Sequence, residues 1–259
     1  MKAIILAAGQ GTRLQPLTNN RPKCMVELMG KPLLERQVGV LQSQNISDIT
    51  VIAGYREEKI QIKGVKKLIN ARYARTNMVY TLFTAKSIMT GNEDLIVSYG
   101  DIIYEPKVLS ALISCNAPIC LTVDKAWRRY WELRMDNPLD DAETLKIKNE
   151  KIVELGKKPT SYDEIEGQYM GLMKIKAKYV KPMIDLWVNM DKSAIYDGKS
   201  YENMFMTSFI QHLIDLGWDV APAWVSNGWL EVDSVDDLEV YEKEYGRNEL
   251  LSFLSNKLY

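Results

Sequence analysis

Along the first half of this chain, unbroken apolar runs alternate with stretches whose apolar residues recur every three or four positions. Ala3-Ile4-Ile5-Leu6-Ala7-Ala8 is the first run. Continuous hydrophobicity over that length predicts a strand buried on both faces of a parallel sheet. Leu34, Val38 and Leu41, with polar Glu35, Arg36 and Gln42 around them, predict an amphipathic helix that Pro32 opens. Asn45 and Ser47-Asp48 end it, and residues 49–53 form the next strand. That is one βαβ unit, which crosses over right-handed in a parallel sheet. Further short apolar runs at 67–69, 95–97 and 119–123 predict strands. Between them, Asn77 is placed to cap a helix with Met78, Leu82 and Phe83 inward. Pro106 opens another, at a position where its missing N–H costs nothing.

After Asp124 the pattern shortens. Segments 131–135, 144–148, 152–155 and 169–175 read as strands, and helices return at 178–189 and 202–216. Strands follow around 220–224 and 229–232. Ser234 with Asp237 has capping-box spacing, with Asp in place of the preferred Glu, and opens a C-terminal helical segment interrupted near Gly246. There is no internal repeat and no low-complexity linker. The expected architecture is α/β, a mostly parallel central sheet flanked by helices with a smaller mixed β region, in one continuous domain over residues 1–259.

Composition narrows the function classes. Hydrophobic residues at 46% and charged residues at 26% are those of an ordinary globular protein. A net charge of −1 gives no bulk electrostatic case for nucleic-acid or membrane binding. No apolar stretch approaches the roughly 20 residues of a membrane helix. The chain enters its first strand without a signal-peptide pattern, which points to the cytoplasm. Cys24, Cys115 and Cys120 are odd in number and lack metal-ligand spacing, so reduced thiols are expected. The sequon Asn45-Ile46-Ser47 is discounted in a chain with no secretion-signal pattern. His212 is the sole histidine, which disfavours a histidine-based triad and excludes a His-rich metal site.

The chemistry concentrates at the end of the first strand. Gly9 and Gly11 let the backbone turn sharply and approach a ligand. From there to Cys24 the chain carries Arg13, Arg21 and Lys23 and no acidic residue. A strand, a glycine turn and uncompensated cations suit a polyanion, with phosphate the obvious candidate. A dinucleotide fingerprint would need a third glycine where Leu14 stands, and Pro16 blocks an immediate helix. A P-loop would need Gly-Lys-Ser/Thr, and Lys23 is followed by Cys24. The combination that remains is Gly9, Gly11, Thr12, Arg13, Pro16, Leu17 and Thr18, followed by Pro22-Lys23-Cys24-Met25. It resembles the signature of the nucleotidyltransferases that make sugar nucleotides and related activated phosphates.

The resemblance implies a Rossmann-like nucleotidyltransferase fold, with residues 1–124 as the nucleotide-binding half and 125–259 as the acceptor-binding half. It implies attack of an acceptor phosphate on the α-phosphorus of a nucleoside triphosphate, with release of pyrophosphate and dependence on Mg²⁺. Leu6, Ala7, Ala8, Gly9, Gly11 and Thr12 would then bind nucleotide, with Arg13 on the β/γ-phosphates and Lys23 on the α-phosphate. Asp101 follows an apolar strand through Gly100, and Asp233 closes another in a Glu-x-Asp-Ser context, both resembling the family's metal aspartates. Read without the family, each is equally a turn or helix-preceding aspartate. Lys157-Lys158-Pro159 resembles the family's Glu-Lys-Pro segment, so Lys158 would reach the acceptor phosphate, although Lys157 replaces the usual Glu.

Residues 70–82 look like the stretch found in small CTP-dependent members, which places Tyr73, Ala74, Asn77 and Thr81 at the nucleotide. Those members activate phosphocholine, aminoethylphosphonate or the phosphoglutamine of capsular polysaccharide modification. In Trp127-Arg128-Arg129-Tyr130-Trp131, aromatics suit a trimethylammonium. Two adjacent arginines suit a carboxylate better. Arg128, Arg129 and Trp131, with Tyr169, are therefore the candidate acceptor residues, and phosphoglutamine is favoured over phosphocholine. A solvated basic surface strand is the plain alternative for the same residues. Other readings are a sugar-1-phosphate nucleotidyltransferase using UTP, dTTP or GTP, and a non-catalytic nucleotide sensor. The expected partners are CTP and a small phosphorylated acceptor, with no nucleic acid and no membrane.

Overall fold

The apolar run at the amino terminus divides its side chains between two layers. A computed structural model describes residues 1–246, 250, 253 and 254. In it the run is strand β1 (Lys2–Ala7), the inner strand of a seven-stranded sheet. The others are β2 (Asp48–Ala53), β3 (Lys66–Ile69), β4 (Leu95–Tyr99), β5 (Ile119–Asp124), β6 (Gln168–Ile175) and β7 (Val220–Val225). Their spatial order is β7-β5-β6-β4-β1-β2-β3. β4, β1, β2 and β3 are mutually parallel, and β7 is parallel to β5. β6 runs antiparallel to both of its neighbours.

Side chains alternate across a strand. Ala3, Ile5 and Ala7 therefore pack with one set of helices, and Ile4 and Leu6 with the other. The first layer holds α1 (Leu33–Ser43), α3 (Pro106–Ser114), α4 (Trp127–Arg134) and α7 (Val235–Gly246). The second holds α2 (Met78–Thr84), α5 (Ala177–Asn189) and α6 (Met206–Asp215), where Phe83 stacks on Trp187 with ring centroids 4.3 Å apart. Because both faces are covered, the inner strands β1 and β2 are almost wholly buried, whereas the edge strand β3 carries the exposed Lys66 and Lys67. The expected α/β fold with a mostly parallel sheet is the fold observed.

Three expectations need correction. Residues 131–134 are not a strand but belong to α4, and Met135 follows as its C-cap. Their aromatic content favours a strand, yet Trp127, Tyr130 and Trp131 are buried together at helical spacing. The segment expected at 202–216 begins with the single turn Tyr201–Asn203, and the helix proper starts at Met206. The third concerns the thiols. Cys115 ends α3, Cys120 lies in β5, and their Cα atoms stand 6.2 Å apart, within disulfide reach. The two are bonded, and Cys24 alone is free and buried. Ser234 and Asp237 do form the reciprocal cap, Ser234 N–H donating to Asp237 Oδ2 and Asp237 N–H to Ser234 Oγ. The expected continuation of that helix past Gly246 lies outside the described residues.

A short ladder outside the sheet joins distant parts of the chain. Residues Ile102–Tyr104 pair antiparallel with Trp229–Glu231, with Ile102 opposite Glu231. Val232 N–H then donates to Asp101 O at 2.9 Å. Two aspartates more than a hundred residues apart in sequence, Asp101 and Asp233, are thereby set side by side.

Burial pushes the Cys24 thiol up to about 12. Titration with Ellman's reagent near pH 8 should find almost no reactive thiol in the native protein. One should appear after denaturation without reductant, and three after reduction. Three thiols without reductant would contradict the bond between Cys115 and Cys120.

Candidate active site

At the carboxyl end of β1 the sheet opens into a cavity of about 360 Å³. Its floor is Leu6, Ala7 and Ala8, and its rim is the turn through Gly9, Gly11, Thr12 and Arg13. Gly11 has φ +71°, and the space a Cβ would take there is filled by the Lys23 side chain, whose Cβ would stand 2.8 Å away. Only glycine meets both demands. The buried Thr18 hydroxyl donates to Gly11 O at 2.8 Å, which fixes the turn. Lys23 thus threads beneath the glycine turn instead of pointing to solvent.

Opposite, β4 carries Tyr99, Gly100 and Asp101 to the cavity wall. The Gln37 side chain donates to Tyr99 O at 2.9 Å and accepts from Ser98 Oγ at 2.7 Å. Gly100 N–H donates to Leu6 O at 2.9 Å, and any Cβ at Gly100 would meet that oxygen at 2.7 Å. The aspartate beyond is therefore pinned against β1. Glu231 and Asp233 arrive from the ladder beside it.

These elements converge on one ammonium. Lys23 Nζ stands 2.8 Å from Asp101 Oδ2 and 2.6 Å from Asp233 Oδ1, and Arg13 reaches Asp233 Oδ2 at 2.5 Å. Burial alone would lower the Lys23 pKa, but Asp101 and Asp233 outweigh it and hold the ammonium above its ordinary value. Asp101 Oδ1 is buried and has no hydrogen-bond partner. Burial also raises the Glu231 carboxyl, with Arg134 opposing and the two aspartates adding to the rise.

The third wall comes from the loop between β3 and α2. Asn70 Nδ2 donates to the hydroxyls of Thr76 and Thr81 at 3.1 and 3.0 Å, which shapes the turn that presents Tyr73, Thr76, Asn77, Met78 and Thr81 to the cavity. Asn77 Oδ1 accepts from Met78 N–H and caps α2. Arg72 pairs with both oxygens of Glu202 at 2.6 Å, tying this loop to the chain's second half.

Of the residues singled out from sequence, Leu6, Ala7, Ala8, Gly9, Gly11, Thr12, Arg13, Lys23, Tyr73, Asn77, Thr81, Asp101 and Asp233 line this one cavity. Ala74, Lys158, Arg128, Arg129, Trp131 and Tyr169 do not. Lys158 Nζ donates to the carbonyls of Leu139 and Asp140. Arg128 pairs with Glu132 at 2.9 Å and lies over the Tyr162 ring, while Arg129 lies over Phe253. Trp131 is buried and donates from Nε1 to Asp141 Oδ2 at 3.0 Å. A helix in place of a strand turns this run into the core on one side and into surface pairs on the other. Tyr169 stands one residue back from the cavity, meeting Tyr99 edge to face. Sequence reasoning passed over Cys24, Thr76, Met78, Tyr99, Gly100 and Glu231. For all six a signal was available, since each adjoins or nearly adjoins a residue already chosen.

A MobA-like NTP transferase domain model matches residues 3–151. The chain is 42% identical over 249 residues to CTP:phosphoglutamine cytidylyltransferase of Campylobacter jejuni, covering 93% of this chain and 98% of that protein. It is 44% identical to choline-phosphate cytidylyltransferase of Streptococcus pneumoniae, but over only 38% of this chain and 42% of that one. The solved CTP:phosphocholine cytidylyltransferase from Streptococcus pneumoniae superposes with a TM-score of 0.66 at 22% identity, covering 97% of this chain and 98% of that one. That likeness is one of fold.

Replacing Lys23 with Ala leaves two carboxylates facing each other without their shared cation. Turnover should fall by at least about a hundredfold, the size of loss seen when one preorganised charge-stabilising group is removed. Circular dichroism should stay native. Near-normal turnover would contradict the placement of Lys23 at the reacting centre.

Proposed function

Because this chain belongs to the MobA-like NTP transferases, a family of nucleotidyltransferases, we propose that it is a Mg²⁺-dependent cytidylyltransferase. It joins CTP to phosphoglutamine, releases pyrophosphate and serves cell-surface polysaccharide modification from the cytoplasm. The observation that carries the reading is the single ammonium held between Asp101 and Asp233 beneath the glycine turn. The base and the acceptor rest on the 42% identical relative, which aligns over nearly its whole length.

The chemistry suits this residue set. A phosphate acceptor is already anionic, so its attack on the α-phosphorus needs no general base. What it needs is a way to bring two anions together and to stabilise the charge that spreads in the transition state. Backbone amides of residues 9–12 face the triphosphate. Arg13, largely exposed at the rim, meets the outer phosphates as they enter, and Lys23 meets the α-phosphate deeper in. The purely acidic, oxygen-only pair Asp101 and Asp233 fits a hard divalent ion, and the unpartnered Asp101 Oδ1 is an available ligand atom. Among the described residues no cluster of three or more ligating side chains forms, which agrees with an ion that takes its other oxygens from phosphate and water. Bound there, Mg²⁺ would neutralise triphosphate charge. Tyr73, Asn77 and Thr81, which line the same cavity, are assigned to the nucleoside.

Pyrophosphate release measured with CTP, UTP, dTTP and GTP, each against phosphoglutamine, phosphocholine and a hexose 1-phosphate, tests the reading. Turnover should be highest with CTP and phosphoglutamine and should vanish with EDTA. Equal or better turnover of the hexose phosphate with another triphosphate would overturn the assignment of base and acceptor.

A further inference from the structure

Glu143 is a carboxylate that the proposed reaction leaves unused. It sits between buried Ala142 and Thr144, just before the ladder strand Leu145–Lys148. Its backbone is locked to the start of β6: Glu143 N–H donates to Gln168 Oε1 at 3.0 Å, and Gln168 Nε2 donates to Glu143 O. The next residue of β6 is Tyr169, whose ring meets that of Tyr99 edge to face at 5.9 Å. Tyr99 lines the cavity. Glu143 therefore stands behind that wall, close enough for its charge to act on the hydroxyls of both tyrosines. On its other side it accepts a long hydrogen bond, 3.4 Å, from the Thr207 hydroxyl in α6.

Among the described residues no lysine or arginine forms an ion pair with Glu143, and the charges that act on it include Asp141 and Asp197, of its own sign. Burial and then those aspartates push its carboxyl up to about 7, against the Thr207 hydrogen bond. A largely buried anion without a counter-cation is costly to keep. Aromatic rings beside it add an attraction for organic cations. Phosphate binding explains nothing here, since a phosphate would be repelled.

We propose that Glu143, with Tyr99 and Tyr169, forms the subsite that takes an ammonium group of the acceptor. The inference rests on the proposed acceptor and sharpens it: a phosphorylated amino acid carries an α-ammonium, and a sugar phosphate does not. The phosphate of such an acceptor faces Lys23, and its amine points past Tyr99 to Glu143. Selectivity then comes from a charge on the far side of the acceptor from the reacting oxygen.

The test compares wild type and Glu143→Gln, with CTP and Mg²⁺, on phosphoglutamine and on its desamino analogue, in which hydrogen replaces the α-amino group. Wild type should favour the aminated acceptor in kcat/KM by roughly tenfold or more, the scale of one charge-assisted hydrogen bond. Glu143→Gln should lose that factor on phosphoglutamine alone, with the desamino analogue and the KM for CTP unmoved and no loss of melting temperature. No loss, or equal losses on both acceptors, would overturn the subsite. A wild type inactive on phosphoglutamine yet selective for the amine on aminoethylphosphonate over its hydroxyl counterpart, with that selectivity lost in Glu143→Gln, would overturn the acceptor identity and support the subsite.

Discussion

One ammonium holds the centre of this molecule together. Lys23 bridges two carboxylates, Asp101 and Asp233, that would otherwise repel each other in a partly desolvated cleft, and Arg13 supplies the second positive charge. Lys23 and Asp233 themselves are 210 positions apart in the chain. Every neighbouring feature serves that convergence. Gly11 gives up its Cβ so the lysine stem can pass, Gly100 gives up its own so that Asp101 can close on β1, and the ladder between Ile102–Tyr104 and Trp229–Glu231 delivers Asp233. The same charges that make the free cleft self-consistent are those a triphosphate and a divalent ion would exchange partners with.

The support behind Asp233 is equally specific. Arg134 of α4 forks onto both oxygens of Asp237 and reaches Glu231, while Asp237 Oδ2 accepts the N–H groups of Asp233 and Ser234. Tyr130 and Tyr241 bond the backbone of Glu231 from the same helix layer. The basic aromatic run, expected to include a strand, is a helix, and its Tyr130 supports the backbone of the strand that leads to Asp233. Its misreading has a physical source: aromatic residues suit strands and helices alike, and only the shared face of Trp127, Tyr130 and Trp131 separates the two.

The first half of the chain was legible because its strands are buried on both faces and its turn residues are chemically constrained. Ala3 to Ala8, Gly9 and Gly11 could be placed from local pattern, and Lys23 and Asp101 from the family signature that the pattern resembles. Asp233 was placed at a strand end, but its nearness to Asp101 depends on a ladder of three residues a side that no local pattern announces. Lys158 illustrates the reverse. A matching tripeptide suggested a phosphate contact, whereas Nζ is taken up by two backbone carbonyls of the turn at Leu139 and Asp140. The Cys115–Cys120 bond was illegible for a simpler reason: an odd count and short spacing say nothing of the geometry between a helix end and the next strand.

A crystal structure of the protein with CTP and Mg²⁺ tests the central claim most directly. The account predicts density for the ion against Asp101 and Asp233, with Lys23 Nζ moved from the carboxylates to a phosphate oxygen. A nucleotide bound while Lys23 still bridges both aspartates, or an ion held elsewhere, would contradict it.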